Sequence, residues 1–229
     1  MAVVAGSDPE LAAEAVVVGA HLDGVGEKGG VLRPGADDDA TGVASLLEMA
    51  RALAASPKRP RRTVVCTFWT GEEEGHLGSG HWVRHPRWPL ARIAAYVNVD
   101  MIGHPWLREE IGKLVAEAGL PDGEAFLAKA RPESFIEVGV PDWVPGLDPV
   151  VARAARGTGL ALHLDRIDGG RGGSDYREFA LRKVPFLRFF GNFFPGYHKA
   201  GDTIEAVDAA QVERVARLVL ASAWLLAER

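Results

Sequence analysis

Short apolar runs that end on polar or charged residues restrict this chain to one kind of architecture. Residues 15–21 (AVVVGAH), 63–70 (TVVCTFWT) and 94–100 (AAYVNVD) are continuous in apolar and β-branched side chains, and residues 184–190 (VPFLRFF) repeat the pattern more weakly. A strand with one wet face alternates apolar and polar residues, whereas a run without alternation is buried on both faces, as in parallel sheets. Helical periods lie between the runs. Val43, Leu46, Leu47, Ala50 and Leu53 recur at the spacing of one buried helix face, with Asp39 or Thr41 as its cap. Val212, Val215, Leu218, Val219, Ser222 and Leu226 mark a long amphipathic helix near the C-terminus. Strands alternating with helices predict crossover connections, hence an α/β fold whose mainly parallel sheet carries helices on both faces. The basic stretch 56–62 (SPKRPRR) reads as a solvated connector and residues 169–174 (GGRGGS) as a flexible loop, neither long enough to link domains. The expectation is therefore one domain spanning residues 1–229.

Composition narrows the function. With 47% apolar and 25% charged residues the chain can bury a core, which argues against a disordered, collagen-like or disulfide-scaffold protein. Twenty-six basic against 31 acidic side chains give a net charge of −5, so nothing favours nucleic acid as a partner. The single cysteine, Cys66, sits inside an apolar run and reads as a small buried hydrophobe. Residues 1–14 lack the basic and apolar regions of a secretory signal, and no apolar run approaches the ~20 residues that span a bilayer. The expectation is a cytosolic chain without a membrane partner, or a domain cut from a longer precursor.

In open α/β sheets, ligands bind beyond the carboxyl ends of the strands. Here those ends carry His21-Leu22-Asp23, Gly71-Glu72-Glu73-Glu74, Asp100 and Tyr197-His198, with Asp37-Asp38-Asp39 between the first strand and the first helix. Two histidines and several carboxylates, with no thiolate, are donors suited to zinc. So many carboxylates would repel one another unless cations neutralised them. One carboxylate bridging two ions ~3.5–4 Å apart is typical of hydrolases, and a spare acid is what a general base requires. Spacing alone does not choose among three consecutive aspartates or three consecutive glutamates.

The segments AHLDG, PGADDDATG, FWTGEEEGHLGS, VNVDMIG, GGSDYREF and YHKAGDT occur in this order. They resemble the co-catalytic dizinc aminopeptidases of clan MH over nearly the whole chain, from about Val3 to the last helix. The resemblance implies a three-layer α/β/α sandwich with a mixed, largely parallel sheet. It implies two zinc ions, or other divalent ions, per chain: His21 and Asp100 on one, Glu73 and His198 on the other, Asp38 bridging. Glu72 would be the general base, passing a proton from the attacking metal-bound hydroxide's parent water to the leaving amine. Asp23 would stand beside His21, fixing its tautomer and orientation, and Asp202 would act similarly. The implied substrate is a peptide with a free N-terminus. Gly24 stands where many relatives have serine. Residues 3–5 (VVA) look like the middle of a strand that relatives enter after further sequence, so a shortened N-terminus with an exposed sheet edge is expected. Glutaminyl cyclisation with one zinc, carboxypeptidase action on acidic or folate-like substrates, and a non-catalytic domain are the rival readings. The DDATG and HKAGDT runs look like the peptidase branch.

Other signals carry less. Residues 24–29 (GVGEKG) match G-x-G-x-x-G, but no helical period follows, so no dinucleotide is expected. Ser174-Asp175 lacks a G-x-S-x-G elbow and reads as a helix start at the site's rim. Residues 189–197 (FFGNFFPGY) are either a wall for an apolar side chain or ordinary core. His76, His81, His85, His104 and His163 receive no role and are expected at surface or packing positions.

Overall fold

The computed structural model describes residues 1–119, 122–168 and 173–229. In chain order the strands are β1 (Ala2–Val4), β2 (Ala15–His21), β3 (Gly26–Lys28), β4 (Val31–Arg33), β5 (Thr63–Trp69), β6 (Ile93–Asp100), β7 (Phe135–Pro141), β8 (Ala161–Ile167) and β9 (Phe186–Phe190). The helices are α1 (Ala40–Ala55), α2 (Leu77–Arg84), α3 (Arg108–Glu117), α4 (Gly123–Lys129), α5 (Asp148–Ala154), α6 (Tyr176–Ala180) and α7 (Ala209–Glu228). Among the described residues a seven-stranded sheet runs in the order β1-β5-β2-β6-β9-β7-β8. The central strands β5, β2, β6 and β9 are mutually parallel. β7 and β8 are parallel to each other but β7 runs antiparallel to β9, and β1 lies antiparallel on the β5 edge. β3 and β4 form a separate hairpin.

The unbroken apolar character of β2 has a direct cause. Val16, Val18 and Ala20 pack on one side with Leu46 of α1, Val151 of α5 and Leu218 of α7. Ala15 and Val17 face the other side, with Val83 of α2, Phe179 of α6 and Tyr96 of β6. Both faces are covered, so neither admits polar residues. At Gly19 an added Cβ would come within 2.4 Å of both Trp69 Nε1 and Tyr96 Oη, which explains a glycine in mid-strand. A third cluster around Trp106, Ile111 and Phe135 seats α3 beside β7.

The four expected strands form within a residue or two of their expected bounds, and β1 is the exposed edge strand. Two strands and one position depart from the sequence reading. β7 (FIEVGVP) and β8 (ALHLDRI) escape it because charges interrupt their apolar residues: Glu137 of β7 pairs with Arg188 of β9, and β8 presents half-buried side chains at the edge. Leu47 is 57% exposed, since the buried stripe of α1 runs through Gly42, Leu46, Met49 and Leu53 and leaves it to one side. Asp39, not Thr41, caps α1, accepting the Gly42 amide. The 24–29 run passes into β3, a strand, not a helix. Of the 169–174 loop, residues 169–172 lie outside the described residues. Cys66 is buried, and burial pushes its thiol up to about 11. Among the described residues no helix is long and apolar enough to cross a membrane.

Candidate metal centre

The site lies at the carboxyl ends of the central parallel strands. His21 is the last residue of β2 and Asp100 the last of β6, Glu72 and Glu73 follow β5, and His198 lies in the loop after β9. Asp38 arrives from the turn before α1. Two trios of donor atoms result, His21–Asp38–Asp100 and Asp38–Glu73–His198, each with its atoms within 4.8 Å of one another. Asp38 belongs to both. Its Oδ1 lies 3.1 Å from His21 Nε2 and its Oδ2 3.0 Å from His198 Nε2, so the carboxylate reaches from one trio to the other. Asp100 Oδ1 is 3.7 Å from His21 Nε2, and Glu73 Oε2 is 3.3 Å from His198 Nε2.

Backbone amides, more than cationic side chains, hold these acids in place. The Asp39 carboxylate accepts the amides of His21, Met101 and Gly42, tying the ends of β2 and β6 to the start of α1. Asp202 accepts the amides of Asp37 and Asp38 at 2.7 and 3.1 Å. It therefore shapes the aspartate turn; the sequence reading had it beside a histidine. The Asp23 carboxylate accepts the amides of Glu72 and Glu73, both at 3.2 Å. The main-chain carbonyl of Asp23 accepts His21 Nδ1–H at 2.9 Å, while its carboxylate stands 3.8 Å from that nitrogen. Asp23 thus orients the imidazole through its backbone and the glutamate loop through its side chain. Arg33 of the hairpin donates to the His198 carbonyl at 3.0 Å.

Behind Asp100 runs a buried polar ladder that the sequence reading missed. Trp69 Nε1–H donates to Tyr96 Oη, Tyr96 O–H to Asn98 Oδ1, and Asn98 Nδ2–H to Ser174 Oγ. The Ser174 hydroxyl in turn helps hold the Asp100 pKa down. Its signal was available: Tyr96, Asn98 and Asp100 alternate along one face of an otherwise apolar strand. Asp175 accepts the Ser79 hydroxyl and opens α6, and burial pushes its carboxyl up to about 7. His76, also left without a role, brings Nε2 to 3.4 Å from Glu72 Oε1, and that contact raises its pKa against burial. His104 stacks on Phe194, His81 on His85, and burial lowers His163.

The electrostatics ask for cations. Burial, then Asp38 and Glu72, push Glu73 up to about 7. Glu73 Oε1 is buried without a hydrogen-bond partner among the described residues, an unsatisfied acceptor aimed at no protein donor. Burial disfavours charge on His21, but Asp100, Asp38 and Asp39 more than reverse it and raise its pKa. Burial likewise opposes ionisation of Asp100, yet His21 lowers its pKa. A buried acid cluster that borrows charge from histidine, and keeps one oxygen orphaned, fits divalent ions, which would satisfy both. A cavity of about 90 Å³ opens against Asp38, Glu72 and Asp100, walled by Phe190, Phe193 and Tyr197. Of the 189–197 aromatics, Phe189 is core while those three face the cavity, so both sequence readings hold for different residues.

A model of peptidase family M28 matches residues 1–136 and 145–223. The chain is 32% identical over 218 residues to a probable zinc metalloprotease of Pyricularia oryzae, covering 85% of this chain and 42% of that protein. It is 29% identical over 230 residues to a probable lipoprotein aminopeptidase, LpqL, of Mycobacterium tuberculosis, covering 90% and 41%. Its fold superposes on a zinc aminopeptidase from Bacillus subtilis with a TM-score of 0.71 at 25% identity, over 96% of this chain and 47% of that one. The chain spans about half or less of the length of the curated relatives it matches.

Proposed function

The chain belongs to peptidase family M28, and on that premise we propose that residues 1–229 act as one zinc-dependent aminopeptidase unit, removing N-terminal residues from peptides. The observation that carries this reading is the pair of donor trios joined through Asp38. His21, Asp38 and Asp100 would hold one zinc ion and Asp38, Glu73 and His198 a second. Bound zinc supplies a Lewis acid for the scissile carbonyl and makes water a nucleophile near neutral pH.

The remaining work falls to the protein. Asp23, by accepting the Nδ1 proton of His21, leaves Nε2 as the nitrogen directed at the centre. Glu72 keeps Oε2 at 4.0 Å from His21 Nε2, beside both trios, where it can take a proton from the attacking water and return it to the leaving amine. The amide clamp of Asp23 sets Glu72 and Glu73 in register, one as base and one as ligand. Phe190, Phe193 and Tyr197 line the cavity and offer an apolar wall to a substrate side chain.

Two measurements test the proposal. Metal analysis should find about two zinc ions per chain. E72Q should lower turnover of an aminoacyl anilide by about 10²–10⁴-fold while retaining the metal. Near-normal turnover in E72Q sinks the mechanism, and ammonia release from N-terminal glutamine peptides, without peptide hydrolysis, replaces it with cyclisation.

A further inference from the structure

His76 sits where the chain leaves β5 for α2. The Glu72 carbonyl accepts the amides of both Gly75 and His76, at 2.9 and 3.0 Å, so the chain folds back on itself within one turn. His76 takes φ 59° and ψ 38° there, in the left-handed region that few side chains occupy. The turn returns the imidazole over the side chain that begins it. Nε2 of His76 lies 3.4 Å from Glu72 Oε1, with 13% and 10% of the two side chains exposed. The other carboxylate oxygen, Oε2, faces the donor trios, 4.0 Å from His21 Nε2. The two oxygens of Glu72 thus look in opposite directions, one to His76 and one to the centre.

We infer that His76 is a positioning residue for Glu72: its imidazole N–H holds Oε1, fixes the carboxylate's rotation and leaves Oε2 as the oxygen that exchanges the proton. The inference rests on Glu72 being the base of the hydrolysis proposed above. A free glutamate rotates about three side-chain bonds, and only a small part of that freedom points an oxygen at the centre. An imidazole 3.4 Å from one oxygen restricts that freedom before substrate arrives. The 3.4 Å separation is an ion-pair contact, and catalytic contacts of this kind often tighten to hydrogen bonds only around bound substrate. His76 touches neither trio, so its effect should appear in turnover and not in metal content or substrate affinity.

Two substitutions separate this role from a structural one. Asparagine is at home at positive φ, so H76N keeps the turn, but its amide is too short to reach Oε1. Glutamine is longer by a methylene and can donate to it. H76N should lower kcat about 10–100-fold, with KM within about twofold, zinc content and melting temperature unchanged; H76Q should recover kcat to within about threefold of wild type. In the metal-free protein, the ¹⁵N resonance of His76 Nε2 should shift on E72Q. An active wild type with full kcat in H76N, or with H76Q no better than H76N, overturns the inference alone, as does a His76 resonance indifferent to E72Q. A wild type that binds zinc yet hydrolyses no aminoacyl anilide overturns the hydrolytic reading, and the inference with it.

Discussion

Asp39 offers the sharpest test of how the fold builds the site. Its carboxylate is 1% exposed and accepts three backbone amides: Met101 N at 3.0 Å, His21 N at 3.1 Å and Gly42 N at 3.2 Å. The Gly42 bond caps α1, and loss of such a cap costs about 1 kcal/mol. Removing the carboxylate would also orphan the two buried strand-end amides, at about 1–3 kcal/mol each. Against this stands relief of a buried charge, because burial and the neighbouring Asp100 push the Asp39 pKa well up. We expect D39A to lose about 3 kcal/mol net, a sizeable part of the ~5–15 kcal/mol that holds a typical domain folded. Because the freed amides belong to His21 and the residue after Asp100, zinc affinity should fall about 10–100-fold as well. Urea unfolding of EDTA-treated protein measures the first effect and competitive zinc titration the second. A D39A variant within about 0.5 kcal/mol of wild type would refute the reasoning. So would a large loss of stability with zinc affinity intact, since the carboxylate would then serve the fold alone.

Three further outcomes follow from the same geometry. D23A frees the amides of Glu72 and Glu73, and turnover should fall about 10–100-fold while urea midpoints move little, because the Asp23 side chain is 20% exposed. The metal-free protein should lose stability as pH rises from about 5 to 8. Asp37, Glu73 and Asp175 are raised to about 6, 7 and 7, chiefly by burial, so the folded state binds protons that the unfolded state has released, and that advantage disappears as pH climbs through those values. Melting curves that rise over this interval would contradict the assignment, and zinc should remove the part of the slope that Glu73 supplies by taking its proton's place. Cys66, buried with its thiol raised to about 11, should resist thiol reagents until the protein is unfolded.

What the sequence reveals depends on whether a residue's role is repeated or singular. The double-faced burial of β2 acts on every residue in it, so AVVVGAH announces a parallel strand without help. β7 carries Glu137 inside a fully buried run, and its partner Arg188 lies 51 residues away; one strand's pattern cannot contain that answer. The three aspartates show the same limit more finely. Asp37 and Asp39 turn their carboxylates back onto backbone amides of residues 103, 21 and 101, whereas Asp38 presents both oxygens to imidazoles. Composition is identical at the three positions, and only neighbours distant in sequence tell them apart. Among the glutamates, Glu74 is exposed while Glu72 and Glu73 turn inward, held there by the Asp23 clamp 49 residues earlier. His76 shows the converse: its partner is four residues away, yet the contact depends on a left-handed turn that its residue type does not declare.

The acidity of the site thus divides into two kinds. Asp23, Asp39 and Asp202 spend their charge on backbone N–H groups and so convert loops into fixed geometry. Asp38, Glu73 and Asp100 are left facing histidines, with too few protein donors to neutralise them, as the orphaned Glu73 Oε1 records. Had arginine or lysine paired these last three, the cluster would be a self-sufficient salt-bridge network with no call for an ion. The nearest guanidinium along the cavity, Arg188, is instead drawn to Glu137 and Asp165 on the β7–β8 side. That withdrawal of cationic side chains makes ion binding stabilising, because a ligand that binds only the folded state adds stability in proportion to the logarithm of its concentration over Kd. Folding of this chain and loading of its centre are therefore expected to be linked. Glu73 joins the two effects: raised by burial, it helps make the metal-free protein weaker at high pH, and as a member of a donor trio it would help make the loaded protein stronger there.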